Sequence, residues 1–267
     1  MSRASLRTLL QKAAGRRMRQ SLRTIAKALS IYDRPISRCD PGKARVAVLA
    51  PHMDDEVLGC GGTIARHVTA GADVAVIFMT DGRRGGRGDT SPDEIVRVRK
   101  AEAHSAAQVL GVRAVTFLDA EDTQLHSDPL VADRLRKILE RERPEIVYLP
   151  SVLEDHPDHR AASRVLLSAT RGTVLRFECR SYEVWTPLFP NCLVRVDETI
   201  HLKKQALNCY QSQLAIMDYL HSSIGLNAFR AMGLGSHSGR FAEAFHVLEL
   251  ADYRKLCDAV ASRRYRF

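Results

Sequence analysis

The chain has 267 residues, of which 45% are apolar, and a formal net charge of +9. That suffices for one large domain with a proper core, or two small ones. No apolar run approaches the roughly 18 residues of a membrane span, and the basic N-terminus lacks the apolar stretch of a secretory signal.

The charge is local. Residues 1–45 hold 12 Lys/Arg against 2 Asp/Glu, whereas the remainder holds 28 against 29. The body is therefore neutral and the leader basic. Six cysteines, at 39, 60, 179, 192, 209 and 257, form no C-x-x-C pair. Such spacing predicts reduced thiols in a cytoplasmic protein and argues against a zinc site built on cysteine.

Residues 4–30 place Leu6, Leu9, Leu10, Ala13, Met18, Leu22, Ile25 and Leu29 among arginines. The spacing predicts an amphipathic helix with a basic face. It reads either as a solvated extension or as a segment that docks on a partner or lies on an anionic membrane surface. A nucleic-acid role fits poorly, because the basic residues have no interleaved aromatics and the body is neutral. DRPISRCDPGK at 33–43 reads as a linker. The expected division is thus a basic helical extension with linker over 1–43 and one catalytic domain over 44–267.

From position 45 strands and helices alternate. RVAVLA (45–50) is a buried strand, followed by a helix over 57–70. DVAVIFMT (73–80) is a second strand, and DGRRGGRGDTSP (81–92) a polar, glycine-rich loop. A helix over 93–110 precedes a strand at 114–118, a helix over 128–142 and a strand at 145–150. Another helix follows over 159–170. Beyond 172, strand-like RSYEVW and CLVRV lead to a helix over 198–214, a helical stretch over 215–231 and the loop GLGSHSGR (233–240). EAFHVLEL (243–250) alternates like a strand, and a last helix ends the chain. This order predicts an α/β fold: a Rossmann-like, mostly parallel sheet with helices on both faces. Its active site should lie at the carboxyl ends of the strands.

Two polar clusters fall at such ends. PHMDDE follows the first strand and EDHPDH (154–159) follows the fourth. Adjacent carboxylates beside an imidazole repel one another unless something binds the charge, and a divalent cation is the obvious candidate. A catalytic zinc takes three His or carboxylate ligands and leaves a position for water. His52 and Asp55 are spaced to face one ion, with His159 as the natural third ligand. Asp54 is placed to accept a proton from water. His156, as an imidazolium, is placed to stabilise an oxyanion and protonate a leaving amine. A lone H-x-x-H or D-D pair says little; their joint position at strand ends says more. Gly59, Gly61 and Gly62 imitate a dinucleotide loop, but Ile64 breaks G-x-G-x-x-G.

HMDDE with its glycine-rich continuation and the later HPDH resemble the PIG-L/LmbE family of zinc-dependent de-N-acetylases. Arg99-x-x-Glu102 with Ala106 and Leu110-Gly111 is similar to the family's helix signature, and FLDAED with Asp122 to its next block. Lys203, Ala206-Leu207, Tyr210 and Ser212-Gln213 match its late K-x-x-A-L-x-x-Y-x-S-Q pattern, with a weaker echo in GRFAEAF at 239–245. The resemblance implies a Zn2+ site, or another divalent metal, on His52, Asp55 and His159. It implies Asp54 as general base, His156 as electrostatic and acid partner, and Arg99 and Asp122 as holders of sugar hydroxyls. The expected activity is removal of the N-acetyl group from an N-acetylglucosamine-type conjugate. The rival is an inactive carbohydrate- or lipid-binding module on the same fold. Met53 and the loop TDGRRGG depart from the family pattern; neither is a ligand position, and the loop bears on which sugar is read. Arg83, Arg84 and Arg87 in that loop are either solvated or hold a substrate anion.

The leader generates one prediction. Deleting residues 1–40 should abolish binding to vesicles containing anionic lipid in a sedimentation assay; unchanged binding would end the idea of lipid docking.

Overall fold

The computed structural model describes residues 37–88, 90–127, 129–235 and 239–261. The expected leader helix and His237 of the 233–240 loop lie outside these residues. The strands are β1 (Ser37–Arg38), β2 (Arg45–Ala50), β3 (Asp73–Thr80), β4 (Ala114–Ala120), β5 (Ile146–Pro150), β6 (Glu178–Tyr182), β7 (Cys192–Arg195) and β8 (Ala242–Glu249). The helices are α1 (Asp55–Thr69), α2 (Pro92–Leu110), α3 (Pro129–Glu142), α4 (Pro157–Ala169), α5 (Ile200–Leu207), α6 (Gln211–Leu214), α7 (Tyr219–Ala231) and α8 (Leu250–Ala261).

The strands form one sheet in the order β1-β7-β8-β6-β5-β2-β3-β4. β4, β3, β2, β5 and β6 run parallel, and β8 is antiparallel to β6 and β7. The fold is therefore α/β with a mostly parallel sheet. β2 is central, and Val46 to Ala50 are all buried. A continuous apolar run suits a strand covered on both faces. The helices fall into two packed groups: α1 touches α2 and α7 and, with α2, α5, while α4 touches α3 and α8.

From β2 the chain moves outward through β3 and β4, then returns to the other side of β2 as β5 and β6. The gap between the carboxyl ends of β2 and β5 is the switch point, where α/β sheets hold their ligands. Both polar clusters emerge there.

Local chemistry explains the helix ends. Ser91 Oγ accepts the Glu94 N–H (3.3 Å) at the start of α2, Pro92 takes the first position, and Gly111 closes the helix at φ 71°. α1 kinks at Cys60 (φ −148°) within its glycine run. A Cβ at Gly59 would lie 2.2 Å from Tyr182 Cδ2, and one at Gly62 2.8 Å from Val196 Cβ. These glycines thus serve close packing, not phosphate binding.

Three readings need correction. The helix predicted over 198–214 is broken between α5 and α6, with Tyr210 at the break and buried. Cys39 and Cys192 form a disulfide, so the expectation of six reduced thiols fails for this pair; Cys60, Cys179, Cys209 and Cys257 are free. Sequence spacing could not reveal the pair, which depends on β1 lying against β7. That pairing also brings part of the expected linker into the sheet. A truncation that tests the leader without disturbing the sheet must therefore end before Ser37.

The late motif proves to be internal bracing. Lys203 and Glu243 are fully buried partners at 2.7 Å, and Lys203 Nζ also donates to the Leu58 carbonyl (2.8 Å). Glu243 accepts the Gly62 and Thr63 N–H groups (3.0 and 2.7 Å) where α1 kinks. Breaking a buried pair from one side leaves a charge uncompensated. Lys203→Met should cost ~3–5 kcal/mol, read from urea unfolding monitored by circular dichroism.

Candidate metal centre at the switch point

After β2 the chain turns sharply at Pro51–Asp54. The Thr80 N–H and hydroxyl both donate to the Pro51 carbonyl (3.0 and 2.8 Å), pinning the turn to β3. Asp54 caps α1 at φ 136°, ψ −26°. A non-glycine residue there is strained, and such strain collects at functional sites. The next residue, Asp55, accepts the His52 N–H through Oδ2 (2.8 Å).

That oxygen is one corner of a triangle. It lies 3.3 Å from His52 Nδ1 and 3.2 Å from His159 Nε2, and the two imidazole nitrogens are 3.4 Å apart. Donors bound tetrahedrally to one zinc at ~2.1 Å stand about 3.4 Å from each other. The edges match that spacing although the ligands come from loops 107 residues apart in sequence. Among the described residues, His52, His156 and His159 form one group able to hold a metal, and His52, Asp122 and Asp158 another.

The outer nitrogens decide how the shared His52 is used. Its Nε2 lies 3.2 Å from Asp122 Oδ1 and 3.3 Å from Asp158 Oδ2. Those carboxylates are already occupied: Asp158 accepts the Thr123 and Leu125 N–H groups (2.7 and 3.2 Å), and Asp122 accepts the Arg84 N–H (3.0 Å). They suit a role in holding the outer N–H of a ligand imidazole, which leaves Nδ1 facing Asp55 and His159. His159 repeats the pattern: its buried Nδ1 lies 3.8 Å from Glu154 Oε2 and makes no hydrogen bond.

The cluster attracts positive charge. Burial pulls the His52 imidazole down, but its bonds to Asp122, Asp158 and Asp55 outweigh this and hold it well above its ordinary value. Burial opposes ionisation of Asp55 too, yet His159 and His52 hold its carboxyl far below the usual range. Asp54 is the exception. Burial pushes it up to about 7, with Arg99 opposing and Asp55 adding repulsion. Donor types, spacing and charge all fit a divalent metal of zinc type on His52, Asp55 and His159.

His156 stands beside the triangle, its ring centroid 4.7 Å from that of His52 and 5.1 Å from that of His159. It caps α4, and its Nδ1 accepts the Asp158 N–H (3.2 Å). Burial and the positive fields of His52 and His159 lower its pKa. With the Asp158 N–H directed at Nδ1, Nε2 is the ring nitrogen able to donate.

Arg99 and Asp122, expected to hold sugar hydroxyls, are both buried. The Arg99 guanidinium donates to the Gly82 and Met53 carbonyls (3.1 and 2.8 Å) and lies 3.6 Å from Asp54 Oδ1. Asp122 is engaged with His52. Both are therefore built into the framework of the site.

Of the loop arginines, Arg83 pairs with Asp81 (2.6 Å), Arg84 with Glu121 (3.7 Å), and Arg87 donates to the Ala215 carbonyl. Three carboxylates escaped sequence reasoning. Asp158 stands between the two histidines of HPDH, a signal that was available. Glu154 accepts the N–H groups of Val184, Trp185 and Thr186 (2.6, 3.1 and 3.2 Å), contacts with no local sequence mark. Glu56 binds the Tyr210 hydroxyl, and burial pushes it up to about 8. Ser212 holds Glu102 (2.7 and 2.6 Å), and Gln213 Nε2 donates to the Gly85 carbonyl (2.8 Å). The late motif thus fastens the start of α1, the middle of α2 and the 81–92 loop behind the site.

Comparison with known proteins bears on family and fold. Residues 47–170 match the family profile described as PIG-L, GlcNAc-PI de-N-acetylase. A diacetylchitobiose deacetylase from Thermococcus kodakarensis is 31% identical over 186 residues, which cover 63% of this chain and 70% of that one. A 4-oxalmesaconate hydratase from Pseudomonas putida is 32% identical over 44% of this chain and 48% of its own, so the chain spans about half of that relative. The N,N'-diacetylchitobiose deacetylase of Pyrococcus horikoshii, solved with an inhibitor, superposes with a TM-score of 0.66 at 26% identity. That match covers 84% of this chain and 88% of the archaeal one. With profile, sequence relatives and fold in agreement, the chain belongs to the PIG-L family.

Proposed function

We propose that this protein is a metal-dependent hydrolase that removes the N-acetyl group from an N-acetylglucosamine-type sugar conjugate. The observation that carries this reading is the donor triangle of His52, Asp55 and His159 with Asp54 beside it. Zinc, or a similar divalent ion, held there would polarise the acetamide carbonyl and acidify a water.

The chain's own groups supply the rest. Asp54, a carboxyl poised near neutrality, takes a proton from the attacking water as its oxygen bonds to the acetamide carbon. The carbonyl oxygen gains the electron pair, and His156 Nε2–H donates a hydrogen bond to it. When the carbon–nitrogen bond breaks, the proton held by Asp54 passes to the leaving nitrogen. Acetate and the free amino sugar result. Arg99 keeps Asp54 in place, while Asp122, Asp158 and Glu154 orient the ligand imidazoles. Asp122 also borders the substrate side in this reading, through the loop that carries Arg84.

A binding module without catalysis would need neither a strained Asp54 nor a carboxyl tuned beside the ligands. The hydratase relative shows that this frame serves more than one way of delivering water, so the reaction is argued from the site and not from the fold. The same reading puts the enzyme in the cytoplasm, with residues 1–30 as the segment that meets anionic lipid. No helix among the described residues is long and apolar enough to cross a membrane.

Asp54→Ala should retain metal by elemental analysis yet lose ~10²–10⁴-fold in acetate release from diacetylchitobiose; full turnover would refute the assignment. Asp158→Asn should weaken metal affinity ~10–100-fold in a chelator competition, because His52 loses the carboxylate that orients it. An unchanged affinity would return Asp158 to a purely loop-holding role.

A further inference from the structure

Trp185 is 46% exposed, an unusual state for an indole. Its place is not casual. It follows β6, and its N–H is held by Glu154 Oε2 (3.1 Å), with the N–H groups on either side also on Glu154. The same oxygen faces His159 Nδ1 at 3.8 Å. One carboxylate therefore positions both a metal-site imidazole and the segment that carries the indole.

The edge of Trp185 meets Tyr219, with ring centroids 5.8 Å apart and planes at 76°. Tyr219 opens α7 and is half-buried. Burial, then the negative fields of Asp54 and Asp55, raise the pKa of its phenol. Leu153 and Met217, each close to half exposed, border the two loops. The result is a corner of two aromatic rings, each with an apolar body and a polar tip. An alkyl chain asks for an aliphatic trough. A pyranose offers an apolar C–H face ringed by hydroxyls, which matches an indole face with donors at its edge.

We propose that Trp185, braced by Tyr219, is the platform for the sugar ring joined to the one that is deacetylated: a second pyranose subsite. This rests on the proposed reaction and names the kind of conjugate it prefers, a glycan rather than a glycolipid tail.

Trp185 is the only tryptophan of the chain, so its emission reports the subsite directly. The metal-loaded full chain is titrated with a β-linked glucosamine disaccharide, with glucosamine and with an alkyl glucosaminide. The disaccharide should change the emission saturably at about tenfold lower concentration than either of the others. In acetate-release assays, Trp185→Ala should raise the KM ratio of disaccharide to monosaccharide about tenfold, with kcat moving far less, and Trp185→Phe should recover most of the loss. An emission that ignores the disaccharide, equal tightening by the alkyl chain, or an unchanged KM ratio would overturn the subsite. Absence of acetate release from every sugar would instead defeat the deacetylase reading, while the emission titration still decides whether the ring is bound.

Discussion

The structure depends on crowding negative charge where two loops meet. Asp54, Asp55, Asp122, Glu154 and Asp158 are all buried around His52 and His159, and Arg99 is the nearby permanent cation. Burying carboxylates is costly unless each finds donors or a counter-charge. The fold supplies donors one by one. Backbone N–H groups of Thr123, Leu125 and Arg84 serve Asp158 and Asp122, and those of residues 184–186 serve Glu154. The inward-facing atoms of His52, Asp55 and His159 meet mainly one another, at 3.2–3.4 Å. The architecture thus gathers one carboxylate oxygen and two imidazole nitrogens at a single point.

Keeping those atoms in place requires stiffness behind the loops. The parallel register of β2 with β3 and β5 sets the distance between the loops. Helix α1, which begins at Asp55, is locked by contacts only glycine permits against Tyr182 and Val196, and by the Lys203–Glu243 pair at its kink. The Tyr210 hydroxyl reaches Glu56 next to the ligand carboxylate. A motif that touches no metal donor therefore determines whether Asp54 and Asp55 stay aligned.

Much of this was legible in the sequence. The central strands read clearly because both faces are covered, leaving an unbroken apolar run such as RVAVLA. The candidate site could be located because both polar clusters follow the carboxyl ends of such strands. What could not be read depends on the meeting of distant segments. The partner of Cys39 lies 153 residues away, on a strand that pairs with its own. Glu154 looked like one more acid in EDHPDH, because its partners follow β6. The capping contact of His156 was hidden for a related reason: it is set by the turn into α4, not by residue type. The break after α5 was hidden because Tyr210 leaves the helical path to reach a buried acid, a tertiary preference that overrides local propensity.

The origin of the ligands on β2 and β5 has a consequence for biogenesis. On an emerging chain, His52 and Asp55 leave the ribosome long before His159 exists, and β3 and β4 are made before the β5 that docks beside β2. The donor triangle is therefore completed late. A product that ends before α4 carries His52, Asp55 and His156 but lacks His159, and so holds only two of the triangle's three corners.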